Sequence, residues 1–229
     1  MRDTRRDFLK QITCSTAFIL AYKSMASNLT IEDMRKNVAI FIFNDAEVLD
    51  FAGPFEVFSV TSQLNDGRFF NVFTISKDKS PIRAVNGLSV NADYDFNNHP
   101  PVDILIISGG QGSRQLILDI DTLDWVKRVH SNTELTLSIC SGARLLGKLG
   151  LLNNRPYCTH HEVYGHLSEI APTGLPQREK RFVRSDDKIF TSGGITAGID
   201  LSFHIVETLL GKETAEKTSY YMEYEWHRI

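Results

Sequence analysis

The chain has 229 residues, 25 of them Lys or Arg and 28 Asp or Glu, for a formal net charge of -3. That balance, with no Lys/Arg cluster and no helix-turn-helix pattern, argues against nucleic acid as a partner, because a phosphate backbone needs a basic face. Three cysteines are too few for a disulfide framework, and the length suits one domain with a substantial core.

The first residues read as a targeting segment. Thr4-Arg5-Arg6-Asp7-Phe8-Leu9-Lys10 precedes a short apolar run over residues 12–22 and then Ser24-Met25-Ala26. The run is about half of the roughly 20 residues that a spanning helix needs, and it ends on a small residue of the kind signal peptidases accept. Residues 1–26 resemble a twin-arginine export signal, cleaved after Ala26, which implies a protein that folds in the cytoplasm and works in the periplasm. The alternatives are an uncleaved N-terminal membrane anchor with the domain outside, or a basic amphipathic helix packed on the domain. Without residues 1–26 the chain keeps 20 basic and 26 acidic residues, a net charge of -6. No later segment is apolar enough to span a membrane, so no stable insertion of the mature domain is expected.

From residue 37 to 229 strands and helices alternate, as in a single domain. Residues 38–43 (VAIFIF) form a continuous apolar run, expected of a strand covered on both faces. Residues 48–62 carry helical spacing around Gly53-Pro54, with the proline suited to a first turn. A strand is predicted over 69–76, and two short extended pieces flank Asn86-Gly87, a hairpin signal. Residues 102–107 (VDILII) predict another buried strand ending at Ser108-Gly109-Gly110, followed by one helix over 114–130. Residues 135–139 (LTLSI) predict the next strand, which stops at Cys140-Ser141-Gly142-Ala143 before a helix from Arg144. An extended segment over 155–159, a helix from about His161, a β pair over 182–191 and two helices over 197–224 complete the chain. Such alternation indicates a parallel sheet wrapped on both sides, with ligands at the carboxyl ends of its strands.

Cys140 is the leading candidate for chemistry, because a strand-turn-helix junction holds a side chain out over the sheet edge, as at a nucleophile elbow. The helix N-terminus is expected to lower its thiol pKa below the roughly 8.5 of a free cysteine, with any close carboxylate opposing. A buried structural cysteine is the plain alternative. Cys14 lies in the expected signal, and Cys140 and Cys158 sit in different elements, which disfavours a disulfide between them.

Six segments in order carry a family resemblance: Leu49-Asp50-Phe51-Ala52-Gly53-Pro54 with Glu56-Val57-Phe58; Ser108-Gly109-Gly110; Ser138-Ile139-Cys140-Ser141-Gly142-Ala143; Leu146-Gly147 with Gly150-Leu151-Leu152; Thr159-His160; and Thr191-Ser192-Gly193-Gly194-Ile195-Thr196-Ala197-Gly198-Ile199-Asp200. The chain resembles the ThiJ/PfpI superfamily, of the class I glutamine amidotransferase-like kind, over about residues 37–224, and within it the isonitrile hydratase branch. The resemblance implies a flavodoxin-like three-layer α/β/α sandwich with a mostly parallel sheet and a nucleophile elbow, usually dimeric. It also implies a small-molecule substrate, no cofactor and no metal. Carried over residue by residue, it assigns the nucleophile to Cys140, a proton-handling carboxylate to Asp50, and to Ser141 the place of a threonine, keeping the hydroxyl and losing the methyl. The backbone N–H groups of Gly110 and Ser141 are expected to stabilise negative charge.

Each residue has a plainer reading. Asp50 is also placed to cap a helix, and Glu47 reads as a solvated turn residue. Gly109 suits a tight turn or the close approach of a ligand. His160 and His161 suit either pocket-lining or structural roles, and the run holding Thr196 reads as a tight connection that walls the pocket, lacking a phosphate-loop lysine. Asp200 and His204 lie one helical turn apart without further metal ligands. The superfamily's peptidases place a histidine directly after the cysteine, where this chain has Ser141. The alternatives to an isonitrile hydratase-like lyase are a redox or small-molecule sensor using Cys140, and a glyoxalase- or deglycase-type activity, for which Asp50 replaces the usual glutamate. A regulator joined to a DNA-binding domain is disfavoured by the export signal.

Overall fold

A computed structural model describes residues 35–228. The export signal expected over residues 1–26 lies outside the described residues.

The core of the molecule is a seven-stranded sheet in the order β10-β11-β7-β6-β1-β2-β5. Its strands are β1 (Lys36–Phe41), β2 (Phe70–Ser76), β5 (Tyr94–Asp95), β6 (Ile104–Ile107), β7 (Leu135–Ser138), β10 (Phe182–Arg184) and β11 (Ile189–Ser192). All neighbours pair in parallel except β10, which runs antiparallel to β11 at the edge. The residues of β6 and the last four of β1 are buried throughout, which is why these strands read as unbroken apolar runs rather than alternating ones. Two small ribbons lie outside the sheet: β3 (Ile82–Arg83) with β4 (Ser89–Val90), and β8 (Pro156–Tyr157) with β9 (Leu175–Pro176). The first is the expected hairpin. Asn86 and Gly87 both take positive φ, 63° and 88°, in a three-residue turn over Val85–Gly87 closed by the Ala84 N–H on the Leu88 carbonyl at 2.8 Å.

Two groups of helices complete the three-layer sandwich. In one, α1 (Val48–Gln63) packs on α6 (Ala197–Leu210) and α7 (Lys212–Tyr221); in the other are α2 (Ser113–Leu116), α3 (Ile120–Asn132), α4 (Ala143–Lys148) and α5 (Tyr164–Ile170). Trp125 of α3 anchors the second group, stacked at 4.2 Å on Phe96 and 5.3 Å from Phe41 of β1. Truncating such a buried aromatic costs about 3–5 kcal/mol.

Two expectations about helices are corrected. The single helix expected over residues 114–130 is two, because Asp119 takes an extended conformation and its carboxylate accepts the Thr122 hydroxyl and pairs with Lys77, starting a new helix at Ile120. Pro54 lies at the seventh residue of α1 rather than in its first turn. It therefore withholds from the Asp50 carbonyl the amide that a helix would normally supply.

The register brings the site together. Phe41 of β1 stands beside Ile107 of β6, and Ile107 beside Ser138 of β7, so the three strands end level. The chain leaves β1 to one side for β2 and returns on the other for β6, making the β1/β6 boundary a topological switch point. The connections that follow these ends carry Asp50, Gly109-Gly110 and Cys140.

Among the described residues, no helix is long and apolar enough to cross a membrane.

Candidate active site

Cys140 follows β7 by two residues and has φ of 55°, in the left-handed region that a residue with a Cβ adopts at a cost of about 1–2 kcal/mol. The conformation is held from both sides. The Cys140 N–H donates to the Gly193 carbonyl at 3.1 Å, and its carbonyl accepts from the Thr159 hydroxyl at 2.8 Å. A 3-10 turn over Cys140–Gly142 then leads into α4. This is the elbow expected from the sequence.

Asp50, the third residue of α1, is fully buried, and it does not cap that helix: the N-cap is Glu47, which makes no side-chain cap bond. Its Oδ2 accepts the Gly109 N–H at 2.9 Å, whereas its buried Oδ1 has no hydrogen-bond partner of full geometry. The Cys140 thiol and the Ile195 N–H lie near enough to ease the carboxylate slightly, but burial dominates and pushes its pKa up to about 7. The Cys140 thiol is pushed up to about 12, first by burial and then by the Asp50 charge, against smaller help from the N–H groups of Ser141 and Ile195. The expected lowering of this thiol pKa is thus reversed. The reason is geometric: α4 has only six residues and begins three positions beyond the cysteine, so its dipole is too short and too far to offset burial beside a carboxylate. At pH 7 the sulfur therefore keeps its proton, beside a carboxyl that ionises near that pH.

Gly109 is required by the close approach of these groups. A Cβ there would lie 2.5 Å from the Ser141 nitrogen, 2.6 Å from Asp50 Oδ2 and 2.8 Å from Cys140 Cβ. Gly110, with φ of 129°, presses against the loop before α1, and a Cβ would meet the Asp45 carbonyl at 2.1 Å. Its N–H donates to Ser141 Oγ at 2.8 Å, so this expected oxyanion donor is already engaged. The Ser141 hydroxyl is 4% exposed and bonds to Gly110 O at 3.0 Å, while Ser113 Oγ lies 3.1 Å away, an arrangement that ties the two loops together. The Ser141 N–H remains directed at the thiol.

A cavity of about 210 Å³ opens above the thiol, lined among others by Cys140, Ser141, Gly110, Arg144, His160 and Ile195. His160 lines it as a neutral ring: burial and neighbouring His161 lower its pKa, and its Nδ1 accepts the Glu162 N–H at 3.3 Å. Among the described residues no histidine hydrogen-bonds the Cys140 thiol. Gly109 and Thr196 were expected at the pocket but do not line it. Gly109 lies behind the thiol against Asp50, and Thr196 is exposed with its hydroxyl accepting Arg181 Nη2 at 3.3 Å. Glu47, read from the sequence as a solvated turn residue, is half-buried and lines the cavity.

The sequence reading missed Arg144, Arg114 and Ile195, all of which border the cavity. Arg144 stood in a helical pattern and carried no motif. Ile195 has φ of 57°, unusual for a β-branched residue, and nothing in its identity announces that conformation. Asp200 and His204, one turn apart on α6, serve structure: Asp200 is bound by Arg181, Tyr224 and the His227 N–H, and His204 packs on Phe182. Among the described residues no group of three or more His, Cys, Asp or Glu is placed to hold a metal.

Comparison with known proteins agrees with this fold. Isonitrile hydratase of Pseudomonas putida is 29% identical over 191 residues, covering 83% of this chain and 79% of that protein. The HTH-type transcriptional regulator GbdR of Pseudomonas aeruginosa is 24% identical over 83% of this chain, which spans only 51% of the regulator. In fold, a ThiJ/PfpI family protein from Pseudomonas syringae superposes with a TM-score of 0.74 at 24% identity, covering 85% of this chain and 77% of that one. Drosophila melanogaster DJ-1beta superposes with a TM-score of 0.71 at 16% identity, covering 84% and 100%. The family model for DJ-1/PfpI matches residues 36–208, from the first residue of β1 into α6, and so spans Asp50, the Gly109-Gly110 turn and the Cys140 elbow; the chain belongs to the DJ-1/PfpI family.

Proposed function

We propose that the chain is a hydro-lyase of the isonitrile hydratase type, with Cys140 as nucleophile and Asp50 as the group that takes and returns its proton. The observation that carries this reading is the Asp50 carboxylate, buried beside the thiol with Oδ1 unengaged and its pKa near 7. A general base works best when its pKa lies close to the working pH. As Sγ bonds to the terminal isonitrile carbon, Oδ1 accepts the thiol proton and delivers it to that same carbon, giving a thioimidate. Asp50 then takes a proton from a water as the water adds to this carbon. Asp50 passes that proton to the nitrogen, then takes the remaining hydroxyl proton as the carbonyl forms and the C–S bond breaks, and returns it to sulfur as the N-substituted formamide leaves. The Ser141 and Ile195 N–H groups face the charge that builds on sulfur.

The gap between about 12 and about 7 keeps the proton on sulfur at rest, so proton transfer must accompany carbon–sulfur bond formation. The same gap weighs against a redox sensor, which needs a standing thiolate. The test is formation of N-cyclohexylformamide from cyclohexyl isocyanide by the purified full chain, with Cys140→Ala and Asp50→Asn as controls. No product, or full activity in Asp50→Asn, would sink the proposal.

Two further expectations belong to it. Homodimerisation, implied by the family, is read by sedimentation velocity, and a monomer at micromolar concentration opposes it. Export is read by periplasmic fractionation, with Arg5 and Arg6 changed to lysine as the control.

A further inference from the structure

Arg144 is out of keeping with its surroundings. It is the second residue of α4, between Ala143, Leu145, Leu146 and Gly147, all buried, and is itself only 2% exposed. Nε donates to His166 Nδ1 at 3.1 Å and Nη1 to Ser113 Oγ at 2.8 Å. Both acceptors are neutral, since burial and then Arg144 itself hold the His166 imidazole below its usual range. A guanidinium carries five N–H donors, so three are left over. Among the described residues no carboxylate pairs with Arg144. Buried cations in proteins are normally paired, because burial without a counter-charge costs several kcal/mol.

The unpaired cation faces the place where an anion could sit. Arg144 lines the cavity that holds Cys140, and Arg114, an exposed side chain on α2, lines it too. Arg114 acts on Arg144 as a like charge. Two guanidinium groups beside one small cavity, the inner one without a carboxylate, form an incomplete site. Glu47 and Glu162 border the same space, so a ligand with negative charge along its whole length is disfavoured and one with a single negative end is suited. A cavity of about 210 Å³ suits a small molecule.

We propose that the cavity takes a small monoanion, its carboxylate or equivalent oxyanion held by Arg144 with Arg114 and its electrophilic carbon placed over Cys140 Sγ. This deepens the proposed function only in using the Cys140 cavity as the reaction site; the anion anchor does not depend on the electrophile being an isonitrile. Substrates of this class carry a carboxylate near the reacting carbon, as isocyanoacetate does.

The test uses paired alkylating agents of nearly the same size and opposite charge state. Cys140 labelling by iodoacetate and iodoacetamide is followed in the full chain at pH 7 by peptide-level mass spectrometry, with glutathione as reference thiol. The iodoacetate-to-iodoacetamide rate ratio at Cys140 is expected to exceed that of glutathione by about tenfold, as for one charge-assisted bidentate contact. In Arg144→Gln it should fall to the glutathione value, and in Arg114→Gln by about threefold. A wild-type ratio at or below that of glutathione, or an unchanged ratio in a folded Arg144→Gln protein, overturns the proposal. If Arg144→Gln does not fold, the decision passes to Arg114→Gln and to protection of wild-type Cys140 by propionate or propionamide. Protection by the carboxylate alone supports the site, and equal or absent protection overturns it. Isocyanoacetate and its methyl ester separate the two proposals. Alkylation preference with neither compound hydrated keeps the anion site and removes the hydratase reading, whereas hydration of both at equal rates without alkylation preference does the reverse.

Discussion

Cys140 and Cys158 are both free, both buried, and both pushed up to about 12 for the same leading reason, removal from water. Their neighbours differ. Cys158 follows β8 and packs its Sγ at 3.2 Å from the carbonyls of Gln177 and Lys180, with its N–H on the Thr191 hydroxyl. Those carbonyls accept from a thiol and repel a thiolate, and the residue is 0% exposed. Cys140 faces a carboxylate that can take its proton, two N–H groups that can steady the resulting charge, and about 210 Å³ of open space. The resting thiol pKa therefore does not separate a nucleophile from a structural cysteine; an adjacent base and room for an electrophile do.

The comparison breaks most readily by deletion. Cys140→Ala should lose at least about a thousandfold in turnover, because no other group can form the covalent intermediate. Cys158→Ala should keep turnover within about threefold while losing about 1 kcal/mol of stability in urea unfolding. Equal loss of activity in the two variants would remove the distinction.

Asp50→Asn sharpens the comparison, because it should lower activity and raise stability together. Activity should fall by about 10²–10⁴, the usual worth of a positioned acid–base group. The wild-type rate should climb with pH up to about 7 and level off above, as Asp50 ionises, and the Asn variant should lose that limb. For stability, a folded-state pKa of about 7 against 3.8 means the native state holds its proton more tightly over that window. The favourable contribution is present below pH 3.8 and is lost as pH rises through about 7, up to about 4 kcal/mol. Urea unfolding should find Asp50→Asn close to wild type at pH 4 and more stable at pH 8. A variant less stable at both pH values would mean that the carboxylate is held there by bonds, not merely buried.

Much of this frame is legible in the residues. Continuous apolar runs such as VAIFIF give buried parallel strands, Asn86-Gly87 gives a hairpin, and the strand-to-helix junction at Cys140 gives an elbow, because each depends on local chemistry that a short window contains. What escapes is set by distant segments. The split at Asp119 depends on Lys77, more than forty residues away, and the thiol pKa depends on how deeply α1 sinks Asp50. Thr196 and Gly109 belong to the right loops, yet which atom of a loop meets the cavity follows from backbone angles, and Ile195 takes that place with a conformation its side chain disfavours. Arg144 is hidden for another reason: an arginine in a helical pattern normally reads as a solvated face, and only burial shows otherwise.

Gly109→Ala tests whether the base and thiol must touch through backbone alone. The added Cβ would meet the Ser141 nitrogen, Asp50 Oδ2 and Cys140 Cβ, all within 2.8 Å, and two of these three belong to elbow atoms that the turn holds fixed. Overpacking of this kind costs about 1–3 kcal/mol, and the accompanying shift of Asp50 from Cys140 should reduce turnover about a hundredfold. Unchanged turnover would show that proton transfer tolerates a displaced carboxylate.

The smallest effect expected is in labelling by iodoacetamide, and it bears most directly on the two sulfurs. If resting pKa governed reactivity, the two thiols would label alike and far more slowly than free cysteine, since a thiol near 12 holds on the order of 10⁻⁵ of its population as thiolate at pH 7. Cys140 has Asp50 to receive its proton as the carbon–sulfur bond forms, and its sulfur borders the cavity; Cys158 is 0% exposed and must wait for local opening. Peptide-level mass spectrometry should thus find Cys140 slower than free cysteine yet about tenfold faster than Cys158, with the lead reduced in Asp50→Asn. Cys158 labelling first would place the reactive thiol in the wrong half of the comparison, and an undiminished lead in Asp50→Asn would leave access alone, without the carboxylate, as the cause.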